Sequence, residues 1–132
     1  MKVVLDTNIF VSGIHWSGSS EKILRAWMEG KFELVSSLPI IEEIIRVLTS
    51  FKIPLDADDI SWWESLLLEK SLVVIPTEEV NIIKNDPDDN KFIEAALEAK
   101  TEYIVSQDKH LLVVKEYREI KIIPPEEFLR LL

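Results

Sequence analysis

Short apolar runs alternate along the chain with segments whose apolar residues recur at helical spacing. Lys2–Leu5 (KVVL) reads as a buried strand bounded by Asp6 and Asn8. A helix is expected over Ser19–Glu29, with Ser19 or Ser20 as N-cap, Ile23, Leu24, Trp27 and Met28 on one face, and Gly30 closing it. Phe32–Val35 is a second strand, and Leu38–Thr49 a second helix. Asp56–Lys70 reads as a third helix with acids in its first turn, where the helix dipole favours them. Leu72–Ile75 is a third strand, stopped by Pro76.

The turn-rich stretch Asn85–Asn90 (NDPDDN) leads into a helix over Asn90–Ala99, followed by a strand at Tyr103–Val105. A helical turn near Lys109–Val114 precedes a last strand at Lys121–Ile123. Pro124 and Pro125 open a C-terminal helix, proline being well tolerated in a first turn. Strands alternating with helices predict a three-layer α/β/α arrangement, a mainly parallel sheet of about five strands covered on both faces. No linker, repeat or low-complexity tract interrupts residues 1–132, so a single domain is expected.

Composition narrows the function classes. The chain has no cysteine, which removes disulfides, thiolate metal sites and thiol nucleophiles from consideration. No apolar run approaches the roughly 20 residues a membrane span needs. Asp6 and Asn8 also interrupt the N-terminal apolar stretch before a signal-peptide core can form, so a cytoplasmic protein is expected. The net charge of −9 argues against a binder of free duplex DNA, which would need a basic stripe to displace counterions. Setting four acids aside as a metal site still leaves the remainder acidic, so nucleic acid would have to be held mainly through bound cations.

The placement of the acids then matters. In an open parallel sheet, ligands bind beyond the carboxyl ends of the strands. The strand at Lys2–Leu5 runs into Asp6, and the strand at Tyr103–Val105 runs into Ser106 and Asp108. One such Asp is ordinarily a turn or capping residue. Carboxylates on separate, neighbouring strand ends repel one another unless a divalent cation neutralises them. In the second helix, Ile41, Ile44, Ile45 and Leu48 define the inward stripe. Glu42 points away from it and is expected to pair with Arg46, whereas Glu43 lies on its margin and is the better ligand candidate. Asp88 or Asp89 should cap the following helix. Asp89 begins the inward row that continues through Phe92 and Ile93, and a helix N-terminus should keep its carboxylate ionised. Four acids without cysteine specify a hard cation, Mg²⁺ or Mn²⁺, rather than zinc. His15 and His110 read as surface or loop residues, with His110 placed to meet a substrate phosphate.

These segments carry a resemblance. Val4–Gly13 (VLDTNIFVSG) looks like the opening of PIN-domain proteins, and Glu43–Leu48 (EIIRVL) resembles their helical Glu segment. Asp86–Ala96 (DPDDNKFIEAA) and Tyr103–Leu112 (YIVSQDKHLL) resemble their third and fourth motifs. Order, spacing and length all fit, and the resemblance is strongest to small prokaryotic, VapC-like toxin components of toxin–antitoxin pairs. It implies a Mg²⁺/Mn²⁺-dependent endoribonuclease with Asp6, Glu43, Asp89 and Asp108 as acidic positions and Asn8 and Ser106 as supporting ones. Thr7 belongs to the opening motif. Ser106–Gln107 departs from the family's usual Thr followed by Gly, Arg or Asn, but keeps the hydroxyl.

A metal-activated water attacking a phosphodiester in line is the chemistry such a site would perform. Lys22, Lys91 and Lys109 are placed to touch an RNA backbone, and single-stranded or looped RNA suits a narrow acidic groove better than a stiff duplex. The resemblance also implies an antitoxin partner. Two alternatives stand beside it: a non-catalytic module that holds RNA or protein, and a processing nuclease outside any toxin–antitoxin pair. An aspartyl-nucleophile phosphatase is set aside because position 8 is Asn rather than a second acid. In the third helix, Ile60, Trp63 and Leu67 share one stripe while Trp62 and Leu66 lie about 100° away. Trp62 and Leu66 are therefore expected to form part of a homodimer contact.

Overall fold

A computed structural model describes all of residues 1–132. The strands are β1 (Lys2–Leu5), β2 (Glu33–Ser36), β3 (Leu72–Val73), β4 (Tyr103–Val105), β5 (Glu116–Tyr117) and β6 (Ile120–Ile123). They form one sheet in the order β3-β2-β1-β4-β6-β5, parallel throughout except for β5, which pairs antiparallel with β6. Val3, Val4 and Leu5 are all buried, and consecutive strand residues can be so only when both faces of the sheet are covered. The helices that cover it are α1 (Thr7–His15), α2 (Ser19–Met28), α3 (Leu38–Ser50), α4 (Ala57–Lys70), α5 (Asn90–Glu98), α6 (Lys109–Leu112) and α7 (Pro125–Leu129).

The three-layer α/β/α expectation holds, with six strands in place of about five. β5 has only two residues and little apolar pattern to announce it. It exists because Arg118 and Glu119, at φ 46° and 72°, make a two-residue turn of the handedness that twisted hairpins favour. β3 stops at Val73, two residues short of the expected end. Helix α1 was not anticipated. It starts directly after β1 with Asp6 as N-cap, and its Thr, Ile, Val and Gly residues are weak helix formers. Burial of Ile9, Phe10 and Gly13 along one side compensates.

The α2 N-cap is Gly18, not Ser19 or Ser20, and no side chain caps this helix. Met28 lies off the buried face that Ile23, Leu24 and Trp27 form. Trp27 meets the Phe10 ring edge-on at 6.1 Å and donates its indole N–H to the Lys70 carbonyl at 3.4 Å, tying α2 to α1 and to the end of α4.

The strand order reverses at the sheet's centre. From β1 the chain steps outward to β2 and β3, then crosses to β4 on the other side. The carboxyl ends of β1 and β4 therefore flank the crevice that such a reversal opens.

Candidate active site

Asp6 follows the last residue of β1, and its amide donates to the Val105 carbonyl at 3.0 Å across that crevice. Its carboxylate is buried and accepts the Ser106 hydroxyl at 2.6 Å on Oδ2. Ser106, fully buried, also accepts the Asp108 amide at 2.9 Å on the same hydroxyl oxygen. One side chain thus sets the spacing between the acids of two neighbouring strands. Burial pushes the Asp6 carboxyl up to about 6. The Ser106 and Thr7 hydrogen bonds offset this only in part, and the charges of Glu43 and Asp108 add to it. Asp108 caps the short helix α6 by accepting the His110 amide at 2.8 Å on Oδ1.

Asp89 reaches the same place from the other side. Pro87–Asp89 forms a single 3₁₀ turn that feeds α5, and the Asp89 side chain is buried. The structure corrects two expectations here. Neither Asp88 nor Asp89 caps α5 with its side chain. Nor does the helix N-terminus keep Asp89 readily ionised: its carboxyl is pushed up to about 8. Burial comes first, then the side-chain contact with Asp108, then the charges of Asp6, Asp86 and Asp108. Asp89 Oδ2 is buried with no hydrogen-bond partner.

Asn90 holds this turn in position. Its Oδ1 accepts the amides of Ile82 and Ile83, both at 2.9 Å, and its Nδ2 donates to the carbonyls of Ile83 and Pro87 at 3.0 and 2.8 Å. Every one of its side-chain bonding positions is used.

Glu43 stands on the flank of this group and has a donor on each oxygen. The Thr7 hydroxyl donates to Oε2 and the Lys91 ammonium to Oε1, the latter at 2.5 Å. Lys91 also contacts Asp88. Burial works against this ammonium, but the bonds to Asp88 and Glu43 outweigh it and hold its pKa above the usual lysine value. The hydrogen bond from Lys91 lowers the pKa of Asp88. The expected Glu42–Arg46 pair is absent, because Arg46 reaches toward Glu43 instead, at 4.0 Å.

Asn8 Oδ1 lies 3.4 Å from the Gln107 amide and so bridges the two strand-end motifs. Lys109 is exposed at the start of α6, and Lys22 is exposed on α2 without polar contact to the acids. His110 faces Asn85, with Nδ1 3.4 Å from Nδ2. His15 lies at the far end of α1, between the carbonyls of Val11 and Ile53.

The charges of Asp6 and Asp108 act on Asp89, and those of Glu43 and Asp108 act on Asp6, so the four acids form one neighbourhood. No three acidic or histidine side chains stand in finished ligating geometry. The donors are nonetheless all hard carboxylate oxygens, and one of them is buried without a partner.

Residues 2–110 match the model of the PIN domain. The chain belongs to the PIN-domain family. PIN domains are in general nucleases. The uncharacterised protein MJ1680 of Methanocaldococcus jannaschii is 30% identical, over 98% of this chain and 90% of that protein. Three solved structures share the PIN fold at low sequence identity. VapBC2 from Rickettsia felis, bound to a DNA fragment from its promoter, aligns with a TM-score of 0.62 at 12% identity, over 94% of this chain and 98% of that one. VapBC-1 from nontypeable Haemophilus influenzae gives 0.59 at 18%, over 96% and 99%. FitAcB from Neisseria gonorrhoeae gives 0.57 at 12%, over 94% and 98%.

Sequence reasoning missed the contacts that Thr7, Asn90 and Lys91 make in this PIN domain. Each acts through a partner that only the folded path of the chain supplies. The sequence signal for Asn90 was its place directly after the acids in the DPDDN run, where it read as an ordinary helix-start residue.

Proposed function

We propose that this PIN domain is an endoribonuclease dependent on Mg²⁺ or Mn²⁺, the toxin of a cytoplasmic toxin–antitoxin pair. One observation carries the reading. Asp6, Asp89 and Asp108 converge where the strand order reverses, and Asp89 presents a buried oxygen that nothing in the protein satisfies. Such a group is costly without a cation to complete it. A bound Mg²⁺ or Mn²⁺ would supply Lewis-acid stabilisation of the phosphate and a more acidic water.

The chain's own residues do the rest. Ser106 orients Asp6 toward the cation and fixes its separation from Asp108. Asp89, whose carboxyl burial and the Asp108 contact hold toward the protonated form, would take the cation on its unpartnered Oδ2. Asp108 stands at the mouth and is the carboxylate available to accept a proton from the attacking water. Lys109 and His110, at the lip, meet the RNA backbone. Single-stranded or looped RNA is the substrate class, since an extruded backbone can enter a narrow acidic crevice that a duplex cannot.

The VapBC and FitAcB folds support an antitoxin as partner for this chain. Trp62, 53% exposed, is the residue on which we place a homodimer contact, together with Leu66. Sedimentation of the wild type and of Trp62→Glu tests that contact. A wild-type monomer would refute it.

Cleavage of a mixed RNA pool tests the function itself. Wild type should cleave with Mn²⁺ and stop with EDTA, and Asp6→Asn and Asp108→Asn should each abolish cleavage. RNA binding without metal-dependent cleavage would make this a binding module instead.

A further inference from the structure

Glu43 and Asp89 are in opposite states. Both Glu43 oxygens carry a protein donor, from Thr7 and from Lys91. Asp89 Oδ2 has none. The Lys91 side chain is only 11% exposed and the Glu43 side chain 15%, so this is not a solvated surface pair. Lys91 is held from two directions, by Glu43 on α3 and by Asp88 one turn earlier on its own segment. An ammonium in that position supplies locally what a second cation would supply.

We propose that Lys91 is a built-in cation on the Glu43 flank, so that the site takes one divalent metal on Asp6, Asp89 and Asp108 and leaves Glu43 outside its ligand shell. This rests on the metal-binding reading above and makes it more specific. Lys91 and Glu43 are then positioning residues. Their ion pair balances charge beside the metal and fixes α5 against α3. With the ammonium removed, only the exposed Arg46 guanidinium, 4.0 Å from Glu43, is left to balance Glu43 and Asp88, and the local field draws divalent cations more strongly.

The test is Mn²⁺ binding to the full chain, read from the loss of the free-ion electron paramagnetic resonance signal, so that no turnover is required. Wild type should bind one Mn²⁺. Glu43→Gln should weaken that site by less than about tenfold, below the range typical even of groups that only support a ligand. Lys91→Met should bind Mn²⁺ more tightly or take up a second ion, and adding Glu43→Gln to it should cancel the gain. Lys91→Arg should behave as wild type.

The proposal falls if wild type binds two ions, if Glu43→Gln costs about tenfold or more, or if Lys91→Met binds as wild type does. Should Lys91→Met fail to fold, Glu43→Gln decides alone. Asp89→Asn separates this proposal from the reading beneath it. Loss of Mn²⁺ in that variant keeps the metal site even where the Lys91 proposal has failed. Absence of Mn²⁺ binding in every chain removes both.

Discussion

At Ser106 one hydroxyl donates to Asp6 and accepts from the Asp108 amide, so the geometry between two candidate ligands depends on a single oxygen. Ser106→Ala should leave the fold intact but lower Mn²⁺-dependent kcat/KM about 10- to 100-fold, the usual cost of losing a group that orients a ligand. Ser106→Thr should restore most of it. The acids themselves predict an unusual pH dependence. Asp6 and Asp89 sit above the ordinary 3.8, at about 6 and about 8. The folded chain therefore holds their protons more tightly than the unfolded chain does. Their contribution to stability is fully present below about pH 4 and is lost as pH rises through 6 and then 8. Thermal melts in EDTA should show Tm falling from pH 5 to 8.5, and Asp89→Asn should flatten the upper part of that fall. A wild-type Tm rising over this range would contradict the assignment. Asp6 and Asp108 were legible from the sequence because a strand end fixes where its next side chain goes, and Glu43 was separable from Glu42 by helix phase. The Lys91–Glu43 ion pair was not legible, because its partners lie 48 residues apart.

Among the elements, α1 shows where periodicity stops being informative. Nine residues that are individually poor helix formers become helical because they pack on α2 and α3 and because β1 delivers them directly to Asp6. Gly13 is the point of close approach. A Cβ there would lie 2.7 Å from Leu24 Cδ1 and 2.9 Å from the Ser20 carbonyl oxygen, and that backbone atom cannot move aside cheaply. Intrinsic propensity favours Ala over Gly by about 1 kcal/mol. We expect the clash to prevail, with Gly13→Ala lowering stability by about 1–3 kcal/mol in urea melts. A stabilised variant would show that α1 and α2 are more loosely packed than described. Asn90 does comparable work for the extended chain before α5. Asn90→Ala leaves the Ile82 and Ile83 amides without their acceptor and should cost about 2 kcal/mol or more. The DPDDN run showed where a helix begins. It gave no sign that its Asn would reach back to Ile82 and Ile83, because that contact depends on the irregular path of residues 74–86.

For the molecule as a whole, the net charge of −9 and the gathering of acids at one sheet edge belong to the same physical account. A surface this acidic repels RNA until cations intervene. Fluorescence anisotropy with single-stranded RNA should therefore show no association in EDTA and measurable association with Mn²⁺. Association that is undiminished by EDTA would point to a binding surface away from the acids. The parallel order of the central strands was readable from alternating elements, whereas the antiparallel β5 edge depended on a turn with two positive φ angles and no glycine. The most direct test of the site is anomalous diffraction from a crystal of this chain soaked in Mn²⁺. We predict a peak bounded by Asp6, Asp89 and Asp108, with Asp89 Oδ2 within about 2.3 Å of it, the range for hard cations and carboxylate oxygen. Saturating Mn²⁺ with no peak among these three carboxylates would contradict the account.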